Sequence, residues 1–415
     1  MDAEISPHHP TDVRMRGFAS RATVNQVWQW IDGETGRTSS EMVVLADLAG
    51  RVLAADISSD VDVPAFDRAM MDGFAVRAED ASGASAYNRL TLAIVGEALA
   101  GQPSPSKVCP GQAVRIMTGA PMPEGADAVI PAEMAQSELR EVSIMGQVTP
   151  GKHVGRIGED IRCGTTVLRE GRRLRPQDVG VLASIGVAQA KVFSKPRVRI
   201  VVTGNELLPA GSRPIGSQVV DCNGPMLMAL IRRDGGLPIY PGIVPDDPAS
   251  VLSAMRDPAD VVIVSGGSSV GQEDHAPTLL AQHGRLEVHG VAMRPSSPTG
   301  MGRMDQCLVF LLPGNPVSCL CAYDFFAGRA IRALAGLPCR WPYQAVRLPL
   351  ARKLVSTVGR LDYARVKIVD DRVEPLAISG ASMLSSTTRA DGFVVVPEDS
   401  EGYPPGVEVE VWLYD

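Results

Sequence analysis

Between Lys195 and Pro338 continuously apolar runs (RVRIVVTG, LPIYPGIV, DVVIVSGG, LEVHGVAM, CLVFLLPG) alternate with helical stretches of about ten residues or more (PMLMALIRRDGG, PASVLSAMRD, APTLLAQHG, VSCLCAYDFFAGRAIRALAG). A strand that is apolar on both faces must be covered on both faces, so this alternation predicts a mostly parallel sheet with helices on either side. It restricts that part of the chain to an open α/β architecture, in which ligands sit outside the carboxyl ends of the strands.

The remainder reads differently. The segment from Ala22 to Ile57 has helical spacing, with Val24, Val27, Trp28 and Ile31 about one turn apart and a second apolar set from Met42 to Leu53, and it predicts two helices with an extended exit. After Pro64 short apolar runs separated by Gly and Pro (LTLAIVG, AVRIMTG, DAVIPAE, EVSIMGQV) predict a compact β module. Helix-and-turn texture returns from His153 to Val192, where Pro176-Gln177-Asp178 opens a helix that stops at Gly186. Beyond Trp341, period-2 runs such as VRLPLARKL and VEVEVWLYD suggest a small C-terminal β-barrel or sandwich. The expected organisation is therefore a multidomain α/β protein. An N-terminal helical or linking domain (20–65 plus 151–194) carries an inserted β domain (66–150), followed by the α/β sheet domain (195–338) and a C-terminal β-barrel domain (339–415).

A length of 415 residues fits several domains. With 21% charged and 45% hydrophobic residues and a net charge of −7, the chain is neither disordered nor a basic nucleic-acid binder. No apolar stretch reaches membrane-spanning length and the start lacks a signal-peptide pattern, so a cytoplasmic protein is expected. Seven cysteines without a C-x-x-C, beside six histidines, argue against a disulfide framework or a structural zinc site.

Three loops lie at carboxyl ends of the expected strands: Thr203-Gly204-Asn205-Glu206, Ser265 to Gly271 (with Gly266, Gly267 and Ser269), and Pro313-Gly314-Asn315-Pro316-Val317-Ser318. Glycines there let backbone N–H groups approach an anion. Carboxylates occupy the same loops: Glu206, Asp221, Asp246, Asp247 and Asp274. A carboxylate beside an anion repels it unless a cation intervenes, and oxygen ligands with phosphate favour Mg²⁺, with Asp274, Glu206 and Asp246 as candidate ligands. Asp221, Asp246 and Asp247 each precede a helix and could equally be N-caps.

PAFDRAMMDGFAVR, RIMTGAPMPEGADAVI, RIGEDI, VTGNEL, SGGSSVGQEDH and LLPGNPVS, in this order, resemble the molybdopterin molybdenumtransferases, the bacterial MoeA and gephyrin E-domain family. The resemblance covers nearly the whole chain. It implies a molybdopterin-binding type of sheet domain and an enzyme that inserts molybdenum from molybdate into adenylylated molybdopterin with Mg²⁺ assistance, releasing AMP. It also implies a homodimer with a shared site, in contact with other molybdenum cofactor biosynthesis proteins, and involves neither nucleic acid nor membrane. Carried over by motif, it places Asp72, Thr118, Asp160, Glu206 and Asp274 among the catalytic residues, and the three loops with Arg294 in the anion pocket. Where the family pattern reads K-P-G-K-P, this chain reads Arg294-Pro295-Ser296-Ser297-Pro298. One lysine has become Arg294 and the other is missing at Ser297. A second reading therefore stays open, a catalytically impaired paralogue that binds molybdopterin or a partner protein as carrier, sensor or scaffold.

Overall fold

The computed structural model describes residues 21–267, 274–377 and 380–414. Two compact units divide the chain: Met42–Ala49 with Leu53–Lys191, and Met1–Glu41 with Gly50–Val52 and Val192–Asp415.

In the unit of Leu53–Lys191 a six-stranded sheet runs in the order Ala128–Pro131, Gly73–Val76, Gln112–Ile116, Leu90–Ala98, Glu141–Ile144, Ala135–Glu138. Only the pair Leu90–Ala98 and Gln112–Ile116 is parallel. Alternate residues feed opposite faces: Phe74, Val76 and Ile130 belong to one apolar cluster, Ala75, Val114 and Val129 to the other. The chain on either side of this sheet is tied together, because Ile57–Ser58 pairs with Thr166–Leu168 and Arg68–Ala69 with Val154–Gly155. The sheet is thus an insertion between paired strands. The expected helix at Pro176 is present as Pro176–Ser184, with proline in its first turn and Asp178 accepting from the Arg175 amide at 2.9 Å.

The apolar set from Met42 to Leu53 is not a helix. Ser40–Val44 is a strand and Leu45–Asp47 a single 3₁₀ turn. Val43-Val44 favours extended backbone and Gly50, at φ 80°, ends the run, while Leu48, Val52 and Leu53 still reach the interior.

The other unit contains the predicted α/β sheet, ordered Leu237–Ile239, Arg197–Thr203, Val261–Ser265, Cys307–Leu312, Gly300–Met304, Arg285–His289. The first four strands are parallel and the last two antiparallel. Val198, Ile200, Val202, Ile263 and Phe310 face one side, with Leu227 and Ile231 of the helix Asn223–Arg233. Val201, Val262, Val264 and Val309 face the other, with Val251, Met255, Leu279 and Leu280 of the helices Pro248–Arg256 and His275–His283. The N-terminal helix Val24–Glu34, opened by a Thr23–Gln26 capping box, joins the first side through the fully buried Val27 and Ile31. Burial of each such side chain contributes roughly 1.5–3 kcal/mol.

The C-terminal strands pair in the order Met293–Arg294, Leu361–Val369, Gly392–Val396, Glu408–Leu413, Gln344–Pro349, with Arg372–Ala377 sharing with Met293–Arg294 the edge of Leu361–Val369 away from Gly392–Val396. These ladders form an open path, and one isolated bridge, Leu350 to Val373, joins the two ends around Gln344–Pro349 and Arg372–Ala377. An aromatic cluster spans this region: Trp341 lies 4.8 Å from Phe325 and 5.0 Å from Trp412 between ring centroids, and Trp28 stacks on Phe325.

Candidate functional site

Parallel pairing puts three loops on one line. Val202 registers with Ser265 and Ser265 with Leu312, so the chain leaves all three strands at one edge of the sheet. The loops wall a cavity of about 760 Å³ that contains Thr203, Gly204, Glu206, Asp246, Ser265, Gly266, Gly267, Asp274, Pro313, Gly314 and Asn315. Ser269 and Gly271 lie outside the described residues. Backbone approach is tight: Gly266 has φ 101°, and a Cβ there would stand 2.4 Å from the Thr203 carbonyl oxygen, so only glycine fits.

The carboxylates at this edge of the sheet have different tasks. Asp247 is an N-cap, accepting from the amides of Ala249 at 3.1 Å and Ser250 at 2.9 Å. Buried Asp221 accepts from the Gly224 amide at 3.0 Å and from the Tyr240 hydroxyl at 2.6 Å, and this contact, after burial, holds the Tyr240 phenol above its ordinary pKa. Asp246 takes the Thr203 hydroxyl at 2.8 Å. Glu206 is exposed, and Asp274 stands half-buried at the start of the helix His275–His283.

The donor chemistry of Glu206, Asp246 and Asp274 suits a hard divalent cation, because every group is a carboxylate oxygen. Among the described residues, however, no three His, Cys, Asp or Glu side chains converge to hold a metal. The three carboxylates therefore line one cavity without forming a closed cage. Mg²⁺ is commonly held by one or two carboxylates together with substrate phosphates, and this arrangement meets that requirement.

Two residues that motif and spacing did not single out organise the cavity. Asn223, 6% exposed, donates from Nδ2 to Ser265 Oγ at 2.9 Å and to the Gly314 carbonyl at 2.7 Å, joining two of the loops. Cys222 beside it lines the cavity, and burial followed by the charge of Asp221 raises its thiol pKa. A polar residue opening the helix Asn223–Arg233 was the available signal.

Arg294 departs from expectation. It is not an uncommitted cation: its strand pairs with Leu361–Val369 so that Arg294 stands opposite Asp362, and Nε donates to Asp362 Oδ1 at 2.9 Å while the second arm of the fork reaches Oδ2. Asp362 is fully buried and also takes the Ser356 hydroxyl at 2.7 Å. A buried carboxylate needs a charged counterpart, and Arg294 supplies it. Arg294 and Ser318 wall a second cavity of about 420 Å³, together with Arg21, Ser297 and Arg360. The two cavities share the walls Pro298, Pro313 and Asn315. Ser296 has φ 87° in this loop, the position where the family pattern carries glycine, and its hydroxyl donates to the Ser318 carbonyl at 2.7 Å.

In the other unit Asp72 Oδ1 accepts from the Thr118 amide at 2.6 Å and the Thr118 hydroxyl at 2.7 Å. The amide, then the hydroxyl, holds this exposed carboxylate below its usual pKa, so it stays ionised at neutral pH. Asp160 is exposed on a separate loop, its amide donating to the Val63 carbonyl at 3.0 Å. The structure thus brings Asp72 and Thr118 together, and Glu206, Asp246 and Asp274 together.

Comparison with known proteins bears on the whole arrangement. Residues 21–186 match the family described as MoeA N-terminal region (domain I and II), residues 199–333 the "Probable molybdopterin binding domain", and residues 347–414 the MoeA C-terminal region (domain IV). The chain is 35% identical to molybdopterin molybdenumtransferase 2 of Mycobacterium tuberculosis over 384 residues, 89% of this chain and 94% of the relative. The chain belongs to the molybdopterin molybdenumtransferase family. The family's member in Haemophilus influenzae is 32% identical, covering 90% of this chain and 94% of its own. The crystal structure of the molybdopterin biosynthesis MoeA protein from Pyrococcus horikoshii OT3 superposes with a TM-score of 0.81 at 31% identity, covering 95% of this chain and all of that one. The molybdenumtransferase fold thus extends over both units. Among the described residues no helix is long and apolar enough to cross a membrane.

Proposed function

We propose that this molybdenumtransferase-family chain is a Mg²⁺-dependent transferase that inserts molybdenum from molybdate into adenylylated molybdopterin and releases AMP. The observation that carries the reading is the pair of adjoining cavities. One offers glycine backbone and carboxylates, the other guanidinium groups, and the reaction brings a phosphoanhydride and a tetrahedral oxyanion together. The transferase names of relatives at 32–35% identity favour an active enzyme over a carrier or scaffold paralogue.

In this reading the glycine amides of the loops at Thr203, Ser265 and Pro313 bind the pyrophosphate, and Asn223 fixes two of these loops against each other. Asp274 or Glu206 accepts the proton of a water that attacks the anhydride, the P–O bond breaks and AMP leaves, while the two dithiolene sulfurs bond to molybdenum as one Mo–O bond breaks and that oxygen departs as water with the two sulfur protons. Mg²⁺, when bound by Glu206, Asp246 or Asp274, would offset the charge of the phosphates. Most of the rate enhancement is positioning and electrostatics.

The test is AMP release from adenylylated molybdopterin with molybdate and Mg²⁺ present or absent. Asp274→Ala should keep the fold and lose molybdate-dependent release; near-parental turnover removes the role of Asp274. Asp72 and Thr118 serve, in the same reading, the site of a second subunit in a homodimer, with Asp160 as a further acidic contact. Mixing Asp72→Ala with Asp274→Ala chains should restore part of the activity. Subunit exchange without complementation would mean that each site is built from one chain.

A further inference from the structure

The chain that runs from the loop Pro313–Asn315 to Leu334 is not one regular helix. Pro316–Ala322 and Gly328–Leu334 are α-helical, and Tyr323–Ala327 between them is a π turn, in which the Gly328 amide donates to the Tyr323 carbonyl five residues back. Such turns are rare and concentrate at functional sites. All five residues of this one are fully buried.

Two carbonyls of the turn are bonded from outside the helix. Trp28 Nε1 donates to the Phe325 carbonyl at 2.9 Å, and Trp341 Nε1 to the Asp324 carbonyl at 3.1 Å. In an uninterrupted α-helix these carbonyls would point along the axis at the amides four residues on. The two indoles come from distant parts of the chain, the helix Val24–Glu34 and the segment before the strand Gln344–Pro349. The Asp324 side chain is held as well, its carboxylate accepting from Arg233 at 2.8 Å and from the Tyr343 hydroxyl at 2.9 Å.

What this turn holds is the short helix that keys both cavities. Cys319 Sγ of Pro316–Ala322 lies 3.7 Å from Ser265 Oγ, the Ser318 carbonyl takes the Ser296 hydroxyl at 2.7 Å, and the Val317 amide donates to the Ala381 carbonyl at 2.9 Å. Ser265 lines the larger cavity and Ser296 the smaller one, while Ala381 and Ser382 put the third segment at both. Successive residues of an α-helix stand about 100° apart around its axis, so a slip of one residue would turn all three contacts away together.

We propose that Trp28 and Trp341 are positioning residues for both cavities: their indole N–H groups hold the π turn and thereby fix the rotational register in which Pro316–Ala322 meets the Ser265, Ser296 and Ala381 segments. The inference rests on the transferase reading for the substrates of its kinetic test.

Trp28→Phe and Trp341→Phe, made in the full chain, keep an aromatic ring and remove the N–H. Trp412→Phe is the control, since Trp412 packs on Trp341 at 5.0 Å between centroids while the two carbonyls are taken by the other indoles. Labelling of Cys319 by iodoacetamide under native conditions, located by peptide mass, reads the register, because this thiol is fully buried when the helix is seated. Each of the first two variants should speed that labelling about tenfold, the size of one lost buried hydrogen bond. Each should also lower kcat for AMP release several-fold and raise the half-saturating concentrations of both molybdate and adenylylated molybdopterin, since one helix serves both cavities. Tryptophans that only filled the core would lower the unfolding midpoint, as Trp412→Phe should, and would leave labelling and kinetics alone. If phenylalanine prevents folding, 3-benzothienylalanine at position 28 or 341 repeats the test, because it keeps the bicyclic ring and lacks only the N–H. Unchanged labelling or unchanged kinetics in either variant, or changes matched by Trp412→Phe, overturn the inference. A parent protein that releases no AMP overturns the transferase reading instead, and the labelling still decides the register.

Discussion

The two cavities that meet at Pro298, Pro313 and Asn315 are held in opposite ways. The carboxylate cavity is organised by hydrogen bonds from uncharged donors, Asn223 to Ser265 and Gly314 and Thr203 to Asp246, and leaves Glu206 in solvent. The arginine cavity is organised by one buried charge, Asp362, at which Arg294, Arg360 and Ser356 converge. A site for phosphates and a cation can be assembled from loops whose charges become paired when the ligand arrives. A site for a lone oxyanion needs cations set in place beforehand, and the charge that sets them must be shielded from the ligand. Asp362 meets that condition by being wholly buried while the arginine side chains remain partly exposed.

If this contrast is right, the largest effect on stability comes from the buried charge. Asp362→Ala leaves two guanidinium groups without their carboxylate and should cost about 3–5 kcal/mol in denaturant unfolding; a loss under about 1 kcal/mol would mean that the arginine cavity is not organised by Asp362. In the carboxylate cavity the matching change is Asn223→Ala, which removes the bonds to Ser265 Oγ and the Gly314 carbonyl and should cost about 1–3 kcal/mol. An equal or greater loss than for Asp362→Ala would reverse the comparison. Ser296 probes the wall of the arginine cavity. Ser296→Ala keeps the positive φ and loses the bond to Ser318, whereas Ser296→Gly loses the bond but relieves the backbone, so alanine should be the less stable variant by about 1 kcal/mol. Equal stabilities would show that the φ of 87° carries no strain.

The smallest effect is chemical. Because burial and Asp221 both raise the Cys222 pKa, labelling of this thiol by iodoacetamide should have a pH midpoint above the ordinary thiol value, and Asp221→Asn should bring it down. Labelling with an ordinary midpoint in the parent would show that the cavity around Cys222 is fully wet.

What the sequence disclosed follows from how far each signal reaches. The loops after Val264 and Leu312 were legible because a strand, a glycine turn and a helix start lie within a dozen residues of one another, and the loop after Val202 because Gly204 follows its strand directly. The partnership of Arg294 with Asp362 was not, since 68 residues separate them and Asp362 reads locally as one polar position in an alternating strand. Arg294 therefore looked like an available cation. Asn223 and Gly314 are 91 residues apart and escaped for the same reason. The misread helix at Met42–Leu53 is the converse case: its apolar spacing is compatible with a helical turn, but Val43-Val44 and Gly50 favour the strand and tight turn that form.

All four tryptophans, Trp28, Trp30, Trp341 and Trp412, lie in the unit that contains the α/β sheet and the C-terminal strands, and none lies in Leu53–Lys191. They pack in or against one core cluster, with Trp341 between Phe325 and Trp412. Tryptophan emission is thus blind to one of the two units. Fluorescence will follow the melting of the unit that holds both cavities, while circular dichroism in the far ultraviolet will follow both units. A gap between the two curves would measure directly how independently the inserted β sheet folds, without any label or truncation.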